Sequence, residues 1–278
     1  MSHAPAAPPA AHGLAVVGGV AAACTGFSCA PLTEPSPYVR PVRLAYTQAR
    51  TGAAAVPRQW HAIEPLDSVA VLVHHTERRA YLLVRQLRPA VLLAELRRAQ
   101  QLWRESPQCL PEPTLDLLAA QGAGLTYELC GGLVGDKPGC SLEQVALAEV
   151  AEELGYQLPP PSPPSSPSSP SPPSSAQPPC RERLRRMFEF PEAVGAYGAR
   201  LTVFYAAVCE GDALPGGGGG LAGEGEAIEV VALPDDQAAV RAFIADAAAV
   251  KSLDLQHALL LCLASGGAGG EQGGVVAA

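Results

Sequence analysis

Apolar positions along this chain fall into two rhythms, separated by stretches with neither. "VRLAYTQA" alternates polar and apolar residues and predicts a strand. "DSVAVLVHH" and "RAYLLVRQL" are β-branched apolar runs on either side of a polar turn at Thr76–Arg78, which predicts a hairpin. "LTYELC", "LTVFYAAV" and "AIEVVAL" read as further strands. The helical rhythm governs "SLEQVALAEVAEELG", where Leu142, Val145, Ala146, Val150 and Leu154 fall on one stripe. Ser141 with Gln144 makes a capping-box pattern at its start, and Gly155 suits its end. "DDQAAVRAFIADAAAV" and "LDLQHALLLCLA" predict helices near the end of the chain. Strands, helix, strands, helices in that order imply an α+β fold, a mixed sheet with helices packed on it.

Three stretches break the rhythm. "PPPSPPSSPSSPSPPSSAQPP" is a low-complexity Pro/Ser segment that cannot build a core. "LPGGGGGLAGEGE" reads as a flexible loop, and the Gly/Ala-rich tail from Gly266 as frayed. Residues 13–30 are uncharged, but they are poor in leucine and no Lys or Arg precedes them, so neither a membrane span nor a signal peptide is predicted. The organisation expected is a disordered leader over 1–36, one domain over 37–265 interrupted by an insertion at 158–180, and a disordered tail over 266–278.

Composition sharpens this picture in two respects. A net charge of −8 disfavours non-specific nucleic-acid binding, which needs a basic surface. The eight cysteines form no C-x-x-C pair and no zinc-finger spacing, which suggests free thiols in a reducing compartment. A cytoplasmic location is expected; the acid-free stretch before Glu34 keeps an organelle such as the plastid open.

The stretch "AEVAEELGY" concentrates charge. Glu149, Glu152 and Glu153 stand at i, i+3 and i+4, so they share a helix face where like charges repel. A solvated acidic face is one reading. The other comes from "YELCGG" and "GLVGDKPG", a strand and a glycine-bearing loop that lead into the helix. Backbone carbonyls beside three carboxylates would make an all-oxygen pocket suited to Mg²⁺ or Mn²⁺.

These residues resemble the Nudix box, G-x5-E-x7-R-E-U-x-E-E-x-G-U, where U is a bulky apolar residue. Glu149, Val150, Glu152, Glu153, Gly155 and Tyr156 match its second half, and Gly132 its opening glycine after a loop two residues longer. "PYVRPVRLAY", "DSVAVLVHH", "LLVRQLRPAV", "YELCGGLV", "RLTVFYAAV" and "GEGEAIEVVALP" extend the similarity, in order, to the ADP-ribose and nucleotide-sugar branch of the Nudix hydrolases. Two positions depart from the box: its arginine is Ala148 here and its earlier glutamate is Cys140. In typical members those two groups pair, and losing both leaves no charge unpartnered.

The resemblance implies the Nudix fold, a mixed sheet sandwiched between helices. It implies Mg²⁺, with Mn²⁺ as the alternative, held by Glu149, Glu152, Glu153 and the Gly131 carbonyl. It also implies metal-dependent hydrolysis of the diphosphate of a nucleoside diphosphate sugar, UDP-glucose or ADP-ribose. Glu152 and Glu153 serve the chemistry in that scheme. Glu226, then Glu224, would supply a base from the glycine-rich loop. Arg88 would hold substrate phosphates, with Glu128 a lesser contact. His74 and His75 are assigned no chemistry. The expected partners are the substrate and a second copy of the chain, joined through the N-terminal strands, with neither nucleic acid nor membrane. A catalytically weak nucleotide-binding module of the same fold is the alternative reading.

Overall fold

The computed structural model describes residues 12–21, 24–105, 112–159 and 183–266. Its centre is a mixed eight-stranded sheet. Six strands run in the order β1 (Ala15–Gly19), β10 (Glu229–Pro234), β5 (Ala80–Leu87), β4 (Ser68–His75), β9 (Arg200–Val208) and β8 (Leu184–Pro191). β4 and β9 are parallel and the other pairs in that order antiparallel. The predicted hairpin forms, but β4 and β5 pair only from Val73–Leu82 to His75–Ala80 and then part. The wedge between them is filled by β6 (Leu125–Glu128) on β5 and β7 (Cys130–Leu133) on β4. The expected single strand "LTYELC" is therefore two, broken at Leu129.

Helices cover both faces of the sheet, as the α+β sandwich requires. On one face pack Val145, Ala146, Val150 and Leu154 of the predicted stripe, with Leu142 partly buried beside them. They meet Val69, Val71 and Val73 of β4, one side of a strand that alternates its faces. On the other face α4 (Gln237–Ala245) and α5 (Leu253–Ala264) bring Val240, Phe243, Leu255 and Leu259 onto Ala70, Leu72, Leu83 and Val203. α1 (Pro89–Glu105) opens with proline at its first position, where no helical N–H is needed. A short α2 (Leu115–Ala120), capped by Thr114, follows it. No helix among the described residues is long and apolar enough to cross a membrane.

Two boundaries are corrected. Residues 15–19, assigned to a disordered leader, form β1 on the edge of the sheet, because the uncharged "AVVGG" run can join the open side of β10. Leu158, assigned to the insertion, is a buried member of the first core. The rest of the Pro/Ser segment from residue 160 and the tail from residue 267 lie outside the described residues.

A second sheet stands apart from the first. β2 (Pro41–Gln48) and β3 (Val56–Ile63) pair along their whole length, from Pro41–Ile63 to Gln48–Val56. Every residue of β2 is exposed.

Candidate active site

The parting of β4 and β5 aims the Glu128–Gly132 segment into a cleft, and the helix that follows supplies the acids. α3 (Leu142–Glu149) begins with the predicted capping box, the Ser141 hydroxyl accepting from the Gln144 N–H and the Gln144 side chain from the Ser141 N–H. It continues as a π-turn over Val150–Leu154 and ends at Gly155, whose φ of 76° is left-handed. Such wide turns recur at functional sites.

Glu149 and Glu153 are both buried, at 8% and 5% exposure. Glu149 lies against the backbone of Gly132, where a Cβ would stand 2.5 Å from its Oε1. A side chain at 132 would expel this carboxylate, a reason for glycine that owes nothing to φ. Glu153 Oε2 accepts the Gly131 N–H at 2.9 Å. Burial pushes the Glu153 carboxyl up to about 8, against the opposing pull of the Cys130 thiol and the Gly131 N–H. Glu149 is also raised by burial, despite a lysine beside it. That lysine is Lys137, whose ammonium donates to Glu149 Oε1 at 2.8 Å and to Glu152 Oε2 at 3.0 Å.

The cleft has a volume of about 680 Å³. Gly131, Gly132 and Glu153 form one part of its wall and Arg88 and Glu128 another. The Arg88 guanidinium is clamped by Glu128, Nε to Oε1 at 2.8 Å and a terminal nitrogen to Oε2 at 2.5 Å. Glu128 is in turn held by the Thr126 hydroxyl and the Gln86 amide. The fork leaves Arg88 N–H groups over, and its side chain is about half exposed at the cleft.

Glu224 and Glu226 reach the same cleft from the glycine-rich loop. That loop is seated rather than loose. The N–H groups of Gly219 and Gly220 donate to the carbonyls of Glu153 and Glu152 at 2.8 and 3.1 Å, satisfying acceptors that the helix end leaves open. Glu226 accepts the Leu221 N–H at 2.8 Å, and its charge adds to the upward pressure on Glu149 and Glu153.

Six residues singled out from the sequence thus share one cavity: Gly131, Glu153, Arg88, Glu128, Glu224 and Glu226. Glu149 and Glu152 are not among its lining residues; both are engaged with Lys137, and Glu149 lies against Gly132, which does line it. Among the described residues no group of three or more His, Cys, Asp or Glu stands at metal-holding geometry. The donors nevertheless fit a hard divalent cation. Two carboxylates already converge on one positive charge, and Glu153, costly to ionise where it is, gains from a cation nearby. His74 belongs to the scaffold, its Nε2 2.9 Å from Asp235, and the fully buried His75 accepts the Arg78 N–H.

Sequence reasoning missed Lys137, although it is the sole Lys or Arg between Arg104 and Arg181. It also missed Glu192 and Asp254, which line the cleft and whose carboxyls are raised by burial. Both come from segments far from the box, and no local spacing marks them.

No family model matches the chain. It is 39% identical over 227 residues to a uridine diphosphate glucose pyrophosphatase of Bos taurus, a match covering 78% of this chain and 85% of that protein. A Mus musculus protein of the same name is 38% identical over 213 residues, covering 73% and 79% respectively. Among solved structures it is similar to one described as an ADP compounds hydrolase, at 15% identity and a TM-score of 0.36, covering 72% of this chain and 81% of that one.

Proposed function

Because the chain belongs to the Nudix hydrolase family of these uridine diphosphate glucose pyrophosphatases, we propose that it hydrolyses the diphosphate bond of a nucleoside diphosphate sugar. The observation that supports this most is the convergence of Glu153, Arg88, Glu128 and Glu226 on one cleft of about 680 Å³, a size that accommodates a nucleotide sugar. UDP-glucose is the substrate favoured by the relatives' name. One water is consumed and one P–O–P bond breaks, giving UMP and glucose 1-phosphate.

Glu149, Glu152, Glu153 and the Gly131 carbonyl would hold Mg²⁺, or Mn²⁺ in its place. When bound, the ion neutralises diphosphate charge and acidifies a water. The chain's own groups do the rest. Arg88 binds a phosphate through the N–H groups that Glu128 leaves over, and planar donors suit phosphate oxygens. Glu128 orients that guanidinium. Glu226 takes the proton of the attacking water, with Glu224 in reserve; its carboxylate is already oriented by the Leu221 N–H.

The activity belongs in this reading to one domain, residues 37–265 with the strand at 15–19 added and the Pro/Ser stretch as an insertion. It works as a homodimer in a reducing compartment such as the cytoplasm, in keeping with six free cysteines among the described residues. The test is a panel of nucleoside diphosphate sugars and ADP-ribose with Mg²⁺ and with Mn²⁺, products resolved by chromatography. UMP and glucose 1-phosphate appearing only with metal is the expected result. Retention of nucleotide without turnover would favour a binding module instead.

A further inference from the structure

We propose that Lys137 is a tethered cation holding the place of the divalent metal: its ammonium keeps Glu149 and Glu152 drawn together in the metal-free protein and releases them when the metal arrives. The inference rests on the metal-dependent reading above and adds a residue which that reading does not use.

The geometry points this way from several sides. One ammonium serves two carboxylates, at 2.8 and 3.0 Å, so it occupies the point where the two acids converge. Its side chain is 22% exposed against 10% for Glu149 and 27% for Glu152, which makes the pair only partly screened by water. The residue type also matters. The chain carries only two lysines, Lys137 and Lys251, and uses arginine at every other basic position. An ammonium is a compact point charge on a flexible stem, closer to a metal ion in size and exchangeability than a flat guanidinium.

The segment bearing Lys137 is built to give way. Lys137 follows a 3-10 turn at Val134–Asp136, and glycines stand two positions away on either side. Gly135, Asp136, Pro138 and Gly139 are exposed, and a Cβ at Gly135 or Gly139 would meet nothing within 4 Å. Withdrawal of the lysine into water breaks two ion pairs and no buried packing, while the acids, held by helix and π-turn, keep their places. A divalent ion offers those acids twice the charge that the lysine does. Lys137 thus stabilises the metal-free acids and competes with the metal for them.

Two measurements on the full chain test this. Amine acylation read by mass spectrometry, with and without Mn²⁺, follows Lys137 in the unaltered protein. Labelling of Lys137 should rise severalfold with Mn²⁺ while Lys251, whose ammonium donates to the Asp246 and Ala249 carbonyls, stays constant. Mn²⁺ affinity by electron paramagnetic resonance should be about tenfold tighter in Lys137→Gln, and Lys137→Arg, which keeps the charge, should not show that gain. Unchanged Lys137 labelling, or a Lys137→Gln affinity equal to or weaker than that of the unaltered chain, would overturn the proposal. If Mn²⁺ binds both proteins equally while nucleotide-sugar hydrolysis persists, only the role of Lys137 falls. If Mn²⁺ binds neither, the metal reading falls with it.

Discussion

Glu153 is held where burial opposes its charge, with Cys130 and Gly131 donating to it from the strand opposite. A side chain kept there for packing alone would be better as glutamine, which fills the same volume without the cost of ionising. Glu153→Gln is therefore expected to leave the melting temperature unchanged or higher while cutting kcat by about 10²-fold or more, since the charge on which the chemistry depends is gone. Thermal melts beside turnover of UDP-glucose check both halves, and unaltered turnover would remove Glu153 from the reaction. Arg88 makes a different prediction. Loss of a charge-assisted phosphate contact costs about 1.5–3 kcal/mol, so Arg88→Ala should lower kcat/KM by roughly 10- to 100-fold. Glu128→Gln should produce a smaller fall of the same kind, because it frees the guanidinium without removing it. That three glutamates share one helical segment was legible from their spacing, but which of them faces the cleft, Glu153 alone, was not. Lys137 was not, because which acids a loop lysine reaches depends on how the loop folds back, and neither periodicity nor composition encodes that.

At the scale of elements, the C-terminal end of the acid helix is where the site is locked. Gly155 has left-handed backbone and abuts the loop, so that a Cβ would stand 2.5 Å from the Gly217 carbonyl carbon. Gly155→Ala thus meets both a backbone cost and a steric clash, and should destabilise by about 2 kcal/mol or more in denaturant melts. The loop carrying Glu226 should loosen with it, which amide exchange at Gly219 and Gly220 would report. Asp212 fastens the neighbouring segment. Its carbonyl accepts the Gln157 N–H, before the Pro/Ser stretch, and its carboxylate accepts Arg183, after it. Burial alone would raise this carboxyl, but the Arg183 and Cys209 hydrogen bonds outweigh it and hold the group below its ordinary range. A depressed carboxyl contributes stability that is present above its unfolded value of about 3.9 and lost as pH falls through the folded value. The stability gap between the unaltered chain and Asp212→Asn should therefore be constant near neutrality and close in acid below about pH 4; a gap that widened there would refute the assignment. Most strands and the box helix were legible because their runs are long and strongly patterned. β1, β3, β8, α1 and α2 were not. In β8 the run "LRRMFEFP" has two adjacent arginines that blur the period of two, and its burial follows from β9 lying beside it.

At the scale of the whole molecule, the described residues leave an apolar surface uncovered on the second sheet. In the detached β2–β3 sheet the facing pairs Val42–Ala62, Leu44–Trp60, Tyr46–Arg58 and Gln48–Val56 lie on one side. Val42, Leu44, Tyr46, Val56 and Trp60 are each at least 40% exposed. The opposite side pairs Arg43 with His61, Ala45 with Gln59 and Thr47 with Pro57, so the first side is the more apolar, yet among the described residues its side chains stay exposed. Two strands alone are marginal in water, and this ribbon touches the body near its base, where the Trp60 indole N–H donates to the Gly195 carbonyl and the Ile63 N–H to the Ala196 carbonyl. The homodimer proposed above would have a second copy of the chain cover this face. Tyr38, just before β2, lines the same cleft as Arg88 and Glu153, so a partner gripping the ribbon would also steady one of its walls. Light scattering on the size-exclusion peak should give twice the mass of one chain. Val42→Asp with Leu44→Asp should yield a folded monomer, since both side chains are exposed within one chain and the Trp60 anchor is kept, and its KM for the nucleotide sugar should rise as the wall slackens. A monomeric peak from the unaltered chain would rule out this assembly and leave the ribbon's apolar face to another protein; a dimer that survives both substitutions would place the interface elsewhere.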